Sequence, residues 1–251
     1  MIGRHLPWLL LVGFAVLGGT LVVSAFVSSG ASAKPFSVSQ SGAVPAPVPS
    51  ITMAKPEPVA VSSGGVKHGN AALVSPDWAG AAAVATGIPQ RALVGYAGAS
   101  LALATESPQC HLGWSTLAAL GWIESGHGTH AGSRVSNDGV STPAIFGPAL
   151  DGTDYAAITS ASGGPGWDRA MGPLQFISST WASWGADGNG DGVPDPQQID
   201  DAALSAGRYL CHYGDLSNPD TWRTAVFAYN HVTSYVDAVA AKANDYNSTV
   251  G

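Results

Sequence analysis

CHLGWSTLAALGWIESGHG, residues 110–128, reads as one helix with a single carboxylate, Glu124, at its far end. Leu117, Leu120 and Glu124 fall at i, i+3 and i+7, so the carboxylate shares a stripe with apolar side chains. A glutamate on such a face costs free energy unless it is paired or protonated. Gly126 and Gly128 stop the helix, which sets Glu124 in the last turn beside the unpaired carbonyls. Burial and the negative helix end both push its pKa up. A carboxyl that keeps its proton near neutrality is what a general acid requires. Against this stands the plain alternative of a solvated or capping glutamate at a helix end. Only 11% of the residues are charged, which makes a carboxylate on an apolar stripe the more telling.

Upstream, residues 1–33 read as a signal peptide or an uncleaved N-terminal anchor. Leu6 to Val27 carries no charge and is long enough to span a bilayer, whereas Ala31-Ser32-Ala33 has the small-x-small form of a cleavage site. Either way the rest of the chain is exported, with Arg4 on the cytoplasmic side. Residues 34–75 read as a disordered spacer, with prolines at 45, 47, 49, 56 and 58 denying it helix or sheet. The globular part, 76–251, is the size of one domain with a real core. It holds both cysteines, and export favours a Cys110–Cys211 disulfide over two buried free thiols.

The domain reads as all-α or nearly so. Helices are expected over Trp78 to Thr86, from Pro89 towards Thr105, over Phe176 to Trp184, Asp201 to Tyr213, Asp220 to Tyr229 and Val232 to Tyr246. Thr129 to Gly166, rich in Gly, Ser, Pro and Asp, reads as long surface loops. Trp114 and Trp122 read as core and Trp167, near the glycine-rich loops, as facing a cleft. The histidines, His127 among them, show no metal-type spacing and read as surface or helix-end residues.

A second stretch, DGNGDGVPDPQQIDD at 187–201, sets oxygens at Asp187, Asn189 and Asp191 before Gly192, the first half of a helix-flanked calcium loop. The Val193 carbonyl and Asp195 continue it. Its twelfth position is Gln198, which has no carboxylate, so a closing ligand requires a longer loop reaching Asp200 or Asp201, with Asp201 favoured because it is read as opening the next helix. The alternative is an Asp/Gly-rich surface turn.

Taken together, GWIESGHG, RAMGPLQFISSTW, DGNGDG with DAALSAGRYLC, and AVFAYNH resemble the lytic murein transglycosylases, in particular the B-type branch of high-GC Gram-positive bacteria. The resemblance covers nearly all of 85–246. It implies a mainly α, lysozyme-like (goose-type/transglycosylase) fold with a structural calcium and no organic cofactor. It further implies peptidoglycan glycan strands as partner and cleavage between N-acetylmuramic acid and N-acetylglucosamine to leave a 1,6-anhydro end. Glu124 becomes the acid/base. Ser125, Met171, Gln175, Phe176, Tyr229 and Asn230 join Trp167 in the saccharide cleft, and the longer loop closes on Asp201. The GGPGWDRA neighbourhood departs from relatives that carry a substrate-binding serine there. Ordinary glycosidases use two carboxyl groups, and Asp138, Asp151, Asp154 and Asp168 are the available second candidates. A water-using muramidase, a non-catalytic glycan clamp and a calcium-stabilised scaffold are the competing readings. A net charge of −7 argues against nucleic acid, leaving glycan recognition to shape and hydrogen bonds.

Overall fold

The computed structural model describes residues 69–153, 156–160 and 166–250. The expected signal or anchor and all but the end of the spacer lie outside these residues. Among those described, no helix is long and apolar enough to cross a membrane.

Among the described residues seven α-helices carry the domain: α1 (Pro76–Thr86), α2 (Gln90–Glu106), α3 (Trp114–Ser125), α4 (Ser178–Trp184), α5 (Ile199–Cys211), α6 (Pro219–Tyr229) and α7 (Thr233–Val250). Their ends follow from local chemistry. The Ser75 hydroxyl accepts the Trp78 amide, with Pro76 in the first turn, and Asn218 does the same for α6 ahead of Pro219. Gly126 ends α3 in the left-handed conformation, as expected. Helix α5 starts at Ile199, not Asp201, because the Gln198 side chain caps it by accepting the Asp200 and Asp201 amides.

Helix α2 lies at the centre, packed mainly on α5, while α3 packs on α7. Close approach is bought with small residues. A Cβ on Gly121 would run into the Tyr96 hydroxyl, and one on Gly98 into the backbone of Asn70. The second contact corrects the spacer boundary. A short 3-10 turn, Asn70–Leu73, lies on α2, and Val74 is buried in the core, so the packed domain begins ahead of residue 76. Cys110 and Cys211 form a disulfide with Cα atoms 5.2 Å apart, tying the approach to α3 to the end of α5. A loop of about 100 residues closed this way is worth about 4–5 kcal/mol in the chain-entropy picture.

The segment between α3 and α4 is more ordered than a run of surface loops. Strands β1 (Arg134–Val135) and β2 (Ser141–Thr142) pair antiparallel, and isolated bridges join Phe146 to Met171 and Met171 to Phe176. Runs this short leave no alternation long enough to read as strands. Trp114 is buried as expected, but Trp122 is 46% exposed on the outer side of α3, beneath the Lys242 ammonium at 5.1 Å.

Candidate functional site

Glu124 is buried at the end of α3, with 8% of its surface exposed. Tyr235, from the first turns of α7, donates its hydroxyl to Glu124 Oε1 at 2.5 Å. Burial pushes the Glu124 carboxyl up to about 7, and the Tyr235 bond opposes that rise. The Tyr229 and Tyr235 phenols are themselves held well above their ordinary value, first by burial and then by the Glu124 charge, so both remain O–H donors. The site therefore presents one buried carboxyl with a proton near neutrality and a fixed donor on one of its oxygens.

Tyr229 brings the next wall. Its hydroxyl donates to the Leu174 carbonyl at 2.7 Å, and its ring meets Phe176 edge-on, with centroids 6.0 Å apart. Phe176 pairs with Met171 across a tight turn, each accepting the other's amide. In that turn Gln175 sits at φ +49°, a left-handed conformation that residues with a Cβ seldom adopt. Its Nε2 donates to the Gly172 carbonyl. Its Oε1 and the Oδ1 of Asn230 are buried without a hydrogen-bond partner, an unmet demand for donors in two residues expected to bind saccharide. Trp167 is 47% exposed.

Ser125 does not join them. It is 1% exposed, and its hydroxyl donates to the Pro173 carbonyl at 2.6 Å and accepts the Gly128 amide at 2.7 Å. It braces α3 to the Pro173–Gln175 turn and has no face for substrate. His127 is equally unlike a surface histidine. It is 2% exposed, with Nδ1 3.3 Å from the Tyr96 hydroxyl and Nε2 2.8 Å from the Tyr246 hydroxyl. Burial, aided by Lys242, drives its pKa down to about 3, so it is a neutral spacer between two phenols.

No second carboxylate acts on Glu124 among the described residues; burial and Tyr235 account for its shift. Asp168 is committed elsewhere, with Oδ1 accepting the Arg169 amide and Oδ2 the Ser178 amide and hydroxyl at the start of α4. Asp151 accepts the Thr153 amide in a local turn, Asp138 is exposed at the β1–β2 turn, and Asp154 lies outside the described residues. Tyr235 is the partner of Glu124 that the sequence did not disclose.

The loop 187–201 folds around its own carboxylates. Asp187 accepts the Gly190 and Gly192 amides, Asn189 Oδ1 accepts the Asp191 amide, and Asp191 Oδ1 accepts that of Val193. Asn189 Nδ2 also donates to Asp191 Oδ2. Asp201, fully buried, closes the loop by accepting the Gly188 and Asn189 amides on one oxygen and the Asp195 amide on the other. Burial pushes its carboxyl up to about 6, with the Asp187 charge adding to the rise. Among the described residues no three His, Cys, Asp or Glu side chains converge as a metal cluster. The set Asp187, Asn189, Asp191, the Val193 carbonyl and Asp201 is instead a mixed one. Its oxygen chemistry fits a hard cation, and most of the carboxylate oxygens keep a lone pair after their amide bonds.

Fold and site together define a mainly helical domain built to bury one acid against phenolic donors and an aromatic-floored turn. Residues 149–244 match the family model described as Transglycosylase SLT domain. That match supports a lytic transglycosylase-like domain and indicates a peptidoglycan lytic transglycosylase, and the mainly helical architecture is consistent with a lysozyme-like fold. The match includes Gln175, Phe176, Tyr229 and Tyr235, whereas Glu124 precedes it on a helix packed against α7. No curated protein and no solved structure matches the chain.

Proposed function

We propose that this enzyme cuts the β-1,4 bond between N-acetylmuramic acid and N-acetylglucosamine with Glu124 as sole acid and base, leaving a 1,6-anhydro end. The observation that carries the reading is the buried Glu124 carboxyl, held near pKa 7 with no other carboxylate among the described residues acting on it. Tyr235 occupies Oε1, so Oε2 is the oxygen that holds the working proton. That proton passes to the glycosidic oxygen as the bond to the anomeric carbon breaks. The resulting carboxylate then takes the proton of the sugar's own C6 hydroxyl, whose oxygen closes on the anomeric carbon. The nucleophile is tethered, which gives it the high effective concentration of an intramolecular reaction and makes a second carboxylate unnecessary. The unpartnered oxygens of Gln175 and Asn230 are suited to accept from substrate amide and hydroxyl groups.

Mass spectrometry of peptidoglycan digests tests this directly. Anhydro ends are expected from the native enzyme, and Glu124→Gln should remain folded and release none. Reducing ends would replace the reading with a hydrolytic muramidase. Undiminished activity in the variant would remove Glu124 from the chemistry altogether.

The same proposal includes a structural calcium in the loop 187–201, supported by its oxygen donors, and a place outside the cytoplasm, supported by the charge-free N-terminal run. Protease added to intact, wall-stripped cells should digest the domain while cytoplasmic proteins survive. A protected domain would refute the exported placement.

A further inference from the structure

Phe146 belongs to the segment expected to be long surface loops, yet it stands in an ordered row. Gly147 donates its amide to the Ala170 carbonyl at 2.8 Å, and Gly172 donates to the Ile145 carbonyl at 2.9 Å. These bonds flank the Phe146–Met171 bridge and make it the non-hydrogen-bonded kind of antiparallel pair, in which side chains stand closest. On its other side Met171 exchanges both backbone bonds with Phe176. Directly opposed residues share a face, so Phe146, Met171 and Phe176 form one row across three short strands, about 10 Å from end to end. Burial grades along it. Phe176 is buried against the Tyr229 ring beside Glu124, Met171 is half-buried, and Phe146 is 53% exposed.

Alternation extends the face. In 167–171 Asp168 and Ala170 are buried while Trp167 and Arg169 are exposed, which puts Trp167, Arg169 and Met171 on the side that Phe146 shares. The Arg169 guanidinium donates to the Gly147 carbonyl at 2.9 Å and holds the Phe146 strand to this edge. Two exposed aromatic rings fixed on one backbone-bonded face are costly to leave in water, and flat apolar faces are what the apolar sides of sugar rings stack upon.

We propose that Phe146 is a saccharide-binding residue at the outer end of the cleft, stacking an N-acetylhexosamine ring of the glycan strand beyond the bond that is cut. The assignment rests on the Glu124-centred reading of the site and deepens it. Phe146 takes no part in proton transfer; it sets how long a strand the enzyme grips.

Binding is measured by calorimetry with the full-length chain carrying Glu124→Gln, which removes turnover, and with β-1,4-linked N-acetylglucosamine oligomers of increasing length as probes. Affinity should rise with length until the Phe146 face is covered. Adding Phe146→Ala should weaken the long oligomers roughly three- to tenfold and leave the shortest unchanged. Phe146→Trp should restore the loss, and the melting temperature should stay put. Equal affinity for long oligomers with and without the Phe146 ring would overturn the proposal. An equal loss at every length would overturn it as well, since that marks a general distortion of the cleft. Failure of the Phe146-bearing protein to bind any oligomer would instead strike at the site reading itself, and this proposal would fall with it.

Discussion

The Tyr235–Glu124 hydrogen bond works against burial in setting where the Glu124 carboxyl titrates. It favours the carboxylate and so restrains the rise that burial causes. In Tyr235→Phe the restraint is gone, and the pKa of Glu124 should move further above 7. In the proposed mechanism the protonated form starts the reaction, so the alkaline limb of the kcat/KM profile should shift to higher pH. A limb that stays in place or moves to lower pH would argue against Tyr235 as the partner that tunes the acid. Glu124 was legible because a carboxylate on an apolar stripe violates the pattern around it. Tyr235 was not, since it lies 111 residues away in sequence and meets the acid only after α3 and α7 pack. Ser125 misled for the opposite reason, as its place next to the acid concealed a hydroxyl turned inward to the Pro173 carbonyl.

Among the elements, the loop 187–201 shows how far counting along a motif carries. Its alternating oxygens were visible in the sequence. Gln198 looked like a failed closing ligand because its side chain was counted toward the loop, when it caps α5 and also donates to the Asp200 carboxylate at 2.9 Å. Asp187→Asn keeps one oxygen as acceptor and removes the charge a cation needs. Calcium should raise the melting temperature of the native protein by several degrees and that of the variant far less, the two behaving alike in excess chelator. A native protein that melts identically with calcium and with chelator would exclude the loop as a calcium site. The β1–β2 pair and the 146–171–176 bridges stayed hidden because each rests on one or two residues held by backbone bonds, with too little sequence to show a period. The helices were legible almost throughout, since their caps and breakers are local: Ser75-Pro76, Gly87, Gly126 and Asn218-Pro219.

Over the whole molecule, two buried groups pull stability in opposite directions with pH. Glu124 has its folded pKa raised from 4.5 to about 7, so the folded state binds the proton more tightly, and stability from this group falls as pH rises through that window. His127 has its folded pKa lowered from 6.5 to about 3, so stability from it falls as pH drops through that range. Between pH 4.5 and 6.5 the two slopes offset each other, and above 7 the cost of a charged Asp201, whose folded pKa is raised to about 6, is joined by that of a charged Glu124. Glu124→Gln removes that cost and still accepts from Tyr235. It should be more stable than the native protein at pH 8, by about 3 kcal/mol at most, and indistinguishable from it near pH 4. Denaturant titrations at the two pH values measure the difference, and an equal offset at both would assign it to packing. The contact between α3 and α7 has a consequence for timing as well. Tyr235, on α7, is made 111 residues after Glu124. Until α7 docks, the Glu124 carboxyl lacks its hydrogen bond from the Tyr235 hydroxyl. A chain that stops short of α7 holds Glu124 without the phenol that tunes it.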